Sequence, residues 1–144
     1  GIDDLIVPDL PPEEGVELQA ITQAARLDLI YLLAPNSSEE RIRLVAEGSR
    51  GFIYLVSVTG VTGAREDLPA ALAAFVARVR KVASQSLCVG FGISRPEQAK
   101  KIASLADGII VGSRLIQLMA EDESLASAKR LVTELRHALD SAIS

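Results

Sequence analysis

The sequence predicts an α/β fold around a parallel sheet, and three observations carry that prediction. Short runs of β-branched and aliphatic residues alternate with longer stretches of helical period along all 144 residues. The runs are apolar at nearly every position, the pattern of strands buried on both faces. No linker, low-complexity tract or composition break interrupts the alternation, so residues 1–144 read as one domain.

The first run is Leu5-Ile6-Val7, closed by Pro8. A helical stretch follows, opened by Pro11-Pro12-Glu13-Glu14, with Leu18, Ile21 and Ala25 at helical spacing. Proline in a first turn and acids near the positive end of the helix dipole both favour this start. Leu29 to Leu33 is the second run, ended by Pro35 and Asn36. Ser37 with Glu40 then reads as a capping box opening a helix that Gly48 stops. Phe52 to Val58 is the strongest strand, and Thr59-Gly60-Val61-Thr62-Gly63-Ala64-Arg65 after it reads as a mobile or ligand-binding loop. Leu68, Leu72, Phe75, Val76 and Val79 mark an amphipathic helix. Leu87 to Phe91 is the fourth run. Gly92-Ile93-Ser94 turns into a helix, with Ser94 and Glu97 as a second capping box around Pro96. Gly108 to Val111 is the fifth run. Gly112-Ser113 opens a short helix to about Met119, and a last helix carries Leu131, Val132, Leu135, Ala138 and Leu139 on one face.

These are five β/α units in a row. Two architectures share the pattern, a doubly wound sheet and a section of a (β/α)₈ barrel. A whole barrel takes about 250 residues, so about five eighths of one fits here.

Composition narrows the function. Charged residues at 24% with half the chain apolar exclude a disordered class. Aromatics are 3% and the net charge is −4, which argues against base stacking and a polyanion partner. Cys88 is the only cysteine, so neither a disulfide framework nor a thiolate cluster can form; a reducing, cytoplasmic setting fits.

Glycines at three strand ends are the main candidates for chemistry: Gly60 and Gly63, Gly90 and Gly92, and Gly112. A glycine lets backbone amides approach a ligand, and a helix that starts directly afterwards offers unpaired N–H groups to a phosphate. Ser113 adds a hydroxyl. One such glycine mostly makes a tight turn. Three turns, with a short extra helix after Gly112, match the phosphate site that recurs in β/α barrels. Asp9 ends the first strand as either a functional carboxylate or a helix anchor. Tyr54 is mid-strand, its ring placed in the core and its hydroxyl within reach of a ligand. His137, alone on the last helix, reads as a surface residue, and Cys88 as a buried thiol inside its strand.

Four segments carry a resemblance. Leu5-Ile-Val-Pro-Asp-Leu-Pro-Pro-Glu-Glu14, Val58-Thr-Gly-Val-Thr-Gly-Ala-Arg65, Val89-Gly-Phe-Gly-Ile-Ser-Arg-Pro-Glu-Gln98 and Ala106-Asp-Gly-Ile-Ile-Val-Gly-Ser113 closely resemble the tryptophan synthase α subunit. The resemblance implies a partial (β/α)₈ TIM barrel running from barrel strand four to helix eight. It also implies a lyase parent, which cleaves indole-3-glycerol phosphate to indole and glyceraldehyde 3-phosphate in tryptophan biosynthesis. No metal and no organic cofactor are implied, and the implied partner is a tryptophan synthase β subunit.

Residue by residue, the resemblance puts the substrate phosphate at Gly63, Gly92, Gly112 and Ser113. It lines the indole pocket with Leu32, Tyr54 and Phe91. It sets Thr62 on the loop that closes over the site, and Asp9 and Pro11 near the partner interface. Val58 stands where some members carry a basic residue. The family's catalytic glutamate and aspartate would lie upstream of Gly1, so no catalytic residue is expected within the chain, and the isolated chain is expected to be inactive. A cytoplasmic location is expected, or a plastid one for a plant source. Two other readings stand beside this one: a non-catalytic phosphate-binding half-barrel, and a different phosphate-binding barrel such as an isomerase of histidine or tryptophan biosynthesis. The loop sequence argues against the isomerase.

Overall fold

A computed structural model describes residues 1–56, 68–90 and 92–143. The elements run β1 (Asp4–Ile6), α1 (Val16–Ala24), β2 (Asp28–Ile30), β3 (Leu32–Leu33), α2 (Glu39–Gly48), β4 (Phe52–Val56), α3 (Leu68–Arg80), β5 (Ser86–Gly90), α4 (Pro96–Ala103), β6 (Gly108–Ile110), α5 (Ser113–Glu121) and α6 (Ala126–Ile143). Every strand pairing is parallel: β1 with β2, then β3, β4, β5 and β6 in chain order. β2 and β3 are the two halves of the second run, on either side of Tyr31, whose carbonyl still accepts the Tyr54 amide at 3.1 Å. The five β/α units of the sequence are therefore present, each strand followed by a helix.

The core lies between strands and helices. Leu29, Leu33, Ile53, Leu55, Leu87 and Val89 point outward from the sheet and are at most 2% exposed. They meet Ile42 and Val45 of α2, Phe75 and Val79 of α3, and Ala99 and Ile102 of α4 within one cluster. The opposite face differs from expectation. Leu32, Tyr54, Cys88 and Gly108 form one row in register across β3 to β6, and all four are only half-buried. Strands β3 to β6 are thus covered on one face and half-open on the other, because an arc of strands has none across from it to fill its concave side, while on β2 Ile30 is buried on that face. Cys88 accordingly lies on this half-open row, and burial followed by the Asp107 charge pushes its thiol pKa up.

Several helix starts move. Pro11 to Glu14 form turns, with the Glu14 amide on the Pro11 carbonyl and the Gly15 amide on that of Pro12, and α1 begins only at Val16. On that helix Thr22 is buried while Ile21 is 58% exposed. Ser38, not Ser37, caps α2: its Oγ accepts the Arg41 amide at 3.1 Å, while Ser37 Oγ accepts the Ala34 amide at 3.0 Å. Gly48 belongs to α2 and lies beside the Tyr31 ring, which is wedged between Gly48 and Gly15. Val132, assigned to the buried face of the last helix, is 51% exposed; Ala128 shares that face with Leu131 and Leu135 instead.

Asp107 fastens the end of the sheet opposite the candidate site. Its Oδ2 accepts the Leu87 amide at 2.7 Å and Arg80 Nη2 at 2.5 Å, joining α3 to the starts of β5 and β6. Partial burial pushes the carboxyl upward, but the Leu87 amide and the Arg80 guanidinium outweigh it and hold the pKa below the usual range. The folded state thus favours the charged form. This stabilisation is full above the unfolded pKa of about 4 and is lost as pH falls through the lower folded value. Asp107→Ala is expected to cost about 1 kcal/mol at pH 7, a figure discounted for the side chain's exposure. The difference from the parent chain should shrink on acidification, as thermal melts at pH 7 and pH 3 would read.

Candidate functional site

The C-terminal ends of β5 and β6 lie side by side. Gly90 is in register with Ile110, so Gly92 and Gly112 each stand two residues beyond the last paired positions of neighbouring strands. Both are exposed, and among the described residues a Cβ on either would meet nothing within 4 Å. Gly92 holds φ +57°, a left-handed backbone that favours glycine. Gly112 is the N-cap of α5, and Ser113 is its first residue.

The two helices after these glycines differ in what they offer. Among the described residues no side chain caps α5. The first-turn amides of a helix lie at its positive end. The start of α4 is closed by its own sequence. Gln98 Oε1 accepts the Ser94 amide at 3.0 Å, the Arg95 amide at 3.1 Å and Ser94 Oγ at 3.3 Å. The expected Ser94–Glu97 box is therefore replaced by Arg95 as N-cap with Gln98 reaching back. A carboxamide three residues after the cap serves as well as a carboxylate. An anion at this rim would meet Gly92 from β5 and the helix start from β6.

On the concave face below the rim, Leu32 and Tyr54 are register partners on β3 and β4, both half-buried. The Tyr54 ring leans across to β5 and lies over Gly90, where an added Cβ would stand 2.3 Å from both Cε2 and Oη. Sequence reasoning named Gly90 as a strand-end glycine but missed this role. The signal was there, because a glycine inside a strand often marks a close approach. Gly108 relates to Cys88 in the same way, with an added Cβ 2.8 Å from Sγ.

Asp9 is exposed and Pro11 half-buried, both on the segment between β1 and α1. His137 is exposed on α6. Gly60, Thr62, Gly63 and Phe91 lie outside the described residues. Among the described residues no helix is long and apolar enough to cross a membrane.

Parallel β/α units whose strand ends gather glycines and a helix start on one rim define an α/β protein of the β/α-barrel class. Comparison makes the assignment specific. The family model described as tryptophan synthase alpha chain matches residues 1–143. The tryptophan synthase alpha chain of Dehalococcoides mccartyi is 56% identical over 97% of this chain and 55% of its own length. That of Geobacter sulfurreducens is 46% identical over 99% of this chain and 54% of its own length. A solved Mycobacterium tuberculosis tryptophan synthase superposes with TM-score 0.85 at 41% identity, over 96% of this chain and 52% of that one. Legionella pneumophila tryptophan synthase subunit alpha gives TM-score 0.84 at 33% identity, over 96% and 52%. This chain belongs to the tryptophan synthase alpha chain family, and its five β/α units are a section of a (β/α)₈ barrel. It spans about half the length of the relatives it matches.

Proposed function

We propose that these 144 residues are a single domain that holds the substrate of a tryptophan synthase alpha chain. The parent reaction is cleavage of indole-3-glycerol phosphate to indole and glyceraldehyde 3-phosphate. The substrate phosphate sits at Gly63, Gly92, Gly112 and Ser113. Leu32, Tyr54 and Phe91 line the indole pocket, with Thr62 on the closing loop. Asp9 and Pro11 face a tryptophan synthase β subunit. The site uses no metal or organic cofactor, and the protein works in the cytoplasm, or in a plastid in a plant.

One observation carries the reading. In a chain of this family, Gly92 and the start of α5 stand at the adjacent C-terminal ends of β5 and β6. That is where β/α barrels bind phosphate.

Titration with indole-3-glycerol phosphate, followed by ¹⁵N amide shifts, tests it. The Gly92, Gly112 and Ser113 amides are expected to shift together. Ser113→Asp, which puts a negative charge on the same helix start, is expected to weaken binding at least tenfold, about 1.4 kcal/mol. Shifts confined to other strand ends, or an unaffected Ser113→Asp variant, would refute the assignment.

A further inference from the structure

One side chain of α3 reaches across to the chain that leaves the C-terminal end of β3. Arg78 Nη2 donates to the Pro35 carbonyl at 2.9 Å and to the Ser37 carbonyl at 2.7 Å. Its Nε stands 3.5 Å from Glu39 Oε1, a charge contact, and its Cζ lies 5.7 Å from the centre of the Phe75 ring. The base of this strut is rigid, because Phe75 and Val79 of the same helix are buried in the core.

The strut grips a turn that closes on itself. The Ser37 amide donates to the Ala34 carbonyl at 2.9 Å, and Ser37 Oγ accepts the Ala34 amide at 3.0 Å. The turn matters because β3 is short. Among the described residues Leu32 and Leu33 alone pair β3 with β4, whereas five pairs join β4 to β5. So short a ladder opens easily, and the position of β3 depends on what holds the chain just beyond it. The placement of Arg78 is unfavourable in one respect. Glu39 opens α2, and a cation beside a helix start meets the positive end of the dipole. The Glu39 carboxylate offsets part of this, and two charge-assisted bonds to carbonyls are what the position gains.

We propose that Arg78 is a positioning residue for the apolar part of the substrate site. By pinning turn 34–37 to α3 it holds β3 in place, and with it Leu32, the register partner of Tyr54 on the concave face. Arg78 itself lies in the helical layer and acts through the chain between Ser37 and Leu32, without touching the ligand. The role rests on Leu32 lining the indole pocket, and the two can fail separately.

Arg78→Met keeps an apolar stem and removes the donors. Arg78→Lys, one atom shorter, can reach one carbonyl. In Arg78→Met the Ala34 and Ser37 amides are expected to exchange about tenfold faster, the order of one lost bond to a charged group, while the amides of β5 keep their rates. Affinity for indole-3-glycerol phosphate is expected to fall about fivefold or more, and affinity for inorganic phosphate to stay within about twofold. Arg78→Lys should fall between the parent chain and Arg78→Met in both readouts. A purely structural role would instead speed exchange throughout the molecule and weaken both ligands alike, and that result would overturn the proposal. So would unchanged exchange at Ala34 and Ser37, or faster exchange there with the affinity for indole-3-glycerol phosphate intact. A parent chain that binds inorganic phosphate as tightly as indole-3-glycerol phosphate would refute the indole pocket itself, and the part of Arg78 in it, whatever the exchange rates.

Discussion

Given indole-3-glycerol phosphate, the chain on its own is expected to bind it and release no indole above the uncatalysed background. A retro-aldol cleavage needs a base to take the proton of the substrate hydroxyl and an acid to protonate the departing carbon. Each correctly placed proton-transfer group contributes about 10²–10⁴-fold. Four described titratable side chains, Asp107, Cys88, His137 and Asp9, are poorly placed for either task. Asp107 lies just before β6, at the end of the sheet opposite Gly112, and Arg80 engages it. Cys88 lies in the concave row, but burial and the Asp107 charge raise its pKa and keep the thiol protonated. His137 is exposed on α6. Asp9 is exposed on the segment after β1, where the family resemblance implies a partner contact rather than catalysis. That resemblance assigns the catalytic glutamate and aspartate to the stretch of the relatives that this chain does not span. Indole release followed by absorbance over hours, at saturating substrate, tests the expectation. Multiple turnovers by the purified chain would overturn it, and would mean that a carboxylate or thiol of this chain does the work.

The strands were the most legible part of the fold, because burial on one face demands apolar side chains that helix periodicity does not. Phe52 to Val56 and Leu87 to Gly90 fall where the runs place them. Helix starts were less legible, because capping depends on which of several adjacent polar residues reaches an amide. Ser37 and Ser38 are both competent; the turn that brings Ser37 Oγ onto the Ala34 amide leaves the cap to Ser38. Gln98 displaced Glu97 because the cap is Arg95, one residue later than the serine. Proline signalled the end of β1 correctly, but it opened turns rather than α1. The open concave face was hidden for a different reason. An apolar run does not reveal whether its second face meets other strands, and Leu32, Tyr54 and Cys88 are apolar or aromatic whether covered or not.

The site was legible in part for the same kind of reason. Gly92 and Gly112 announced themselves as glycines beyond strands, and parallel pairing of β5 with β6 brings them together. What the sequence could not show is that Gly90 is a seat for a ring from the neighbouring strand, since that depends on how Tyr54 leans across the sheet.

Gly90→Ala tests this seat and carries the second large expected effect. The new methyl carbon would stand 2.3 Å from Tyr54 Cε2 and Oη and 2.6 Å from Cζ. These atoms belong to a rigid ring, so no small torsion relieves the clash and the ring must swing away. Overpacking of this kind typically costs about 1–3 kcal/mol. If Tyr54 lines the indole pocket, the swing changes the pocket wall while leaving Gly92, Gly112 and Ser113 untouched. Affinity for indole-3-glycerol phosphate is therefore expected to fall about tenfold or more, the equivalent of about 1.4 kcal/mol. Affinity for inorganic phosphate should stay within about twofold, well under that energy. Tyr54→Phe should not relieve the strain, because Cε2 and Cζ remain. Tyr54→Ala should relieve it, so the double variant Gly90→Ala/Tyr54→Ala is expected to be more stable than the sum of the single costs predicts, a positive coupling between touching residues. Calorimetric titration with the two ligands and denaturant melts of the four proteins read both effects. An equal loss for both ligands would show that the disturbance reaches the phosphate rim and is not confined to the Tyr54 seat. Additive stability costs would show that the ring does not rest on Gly90.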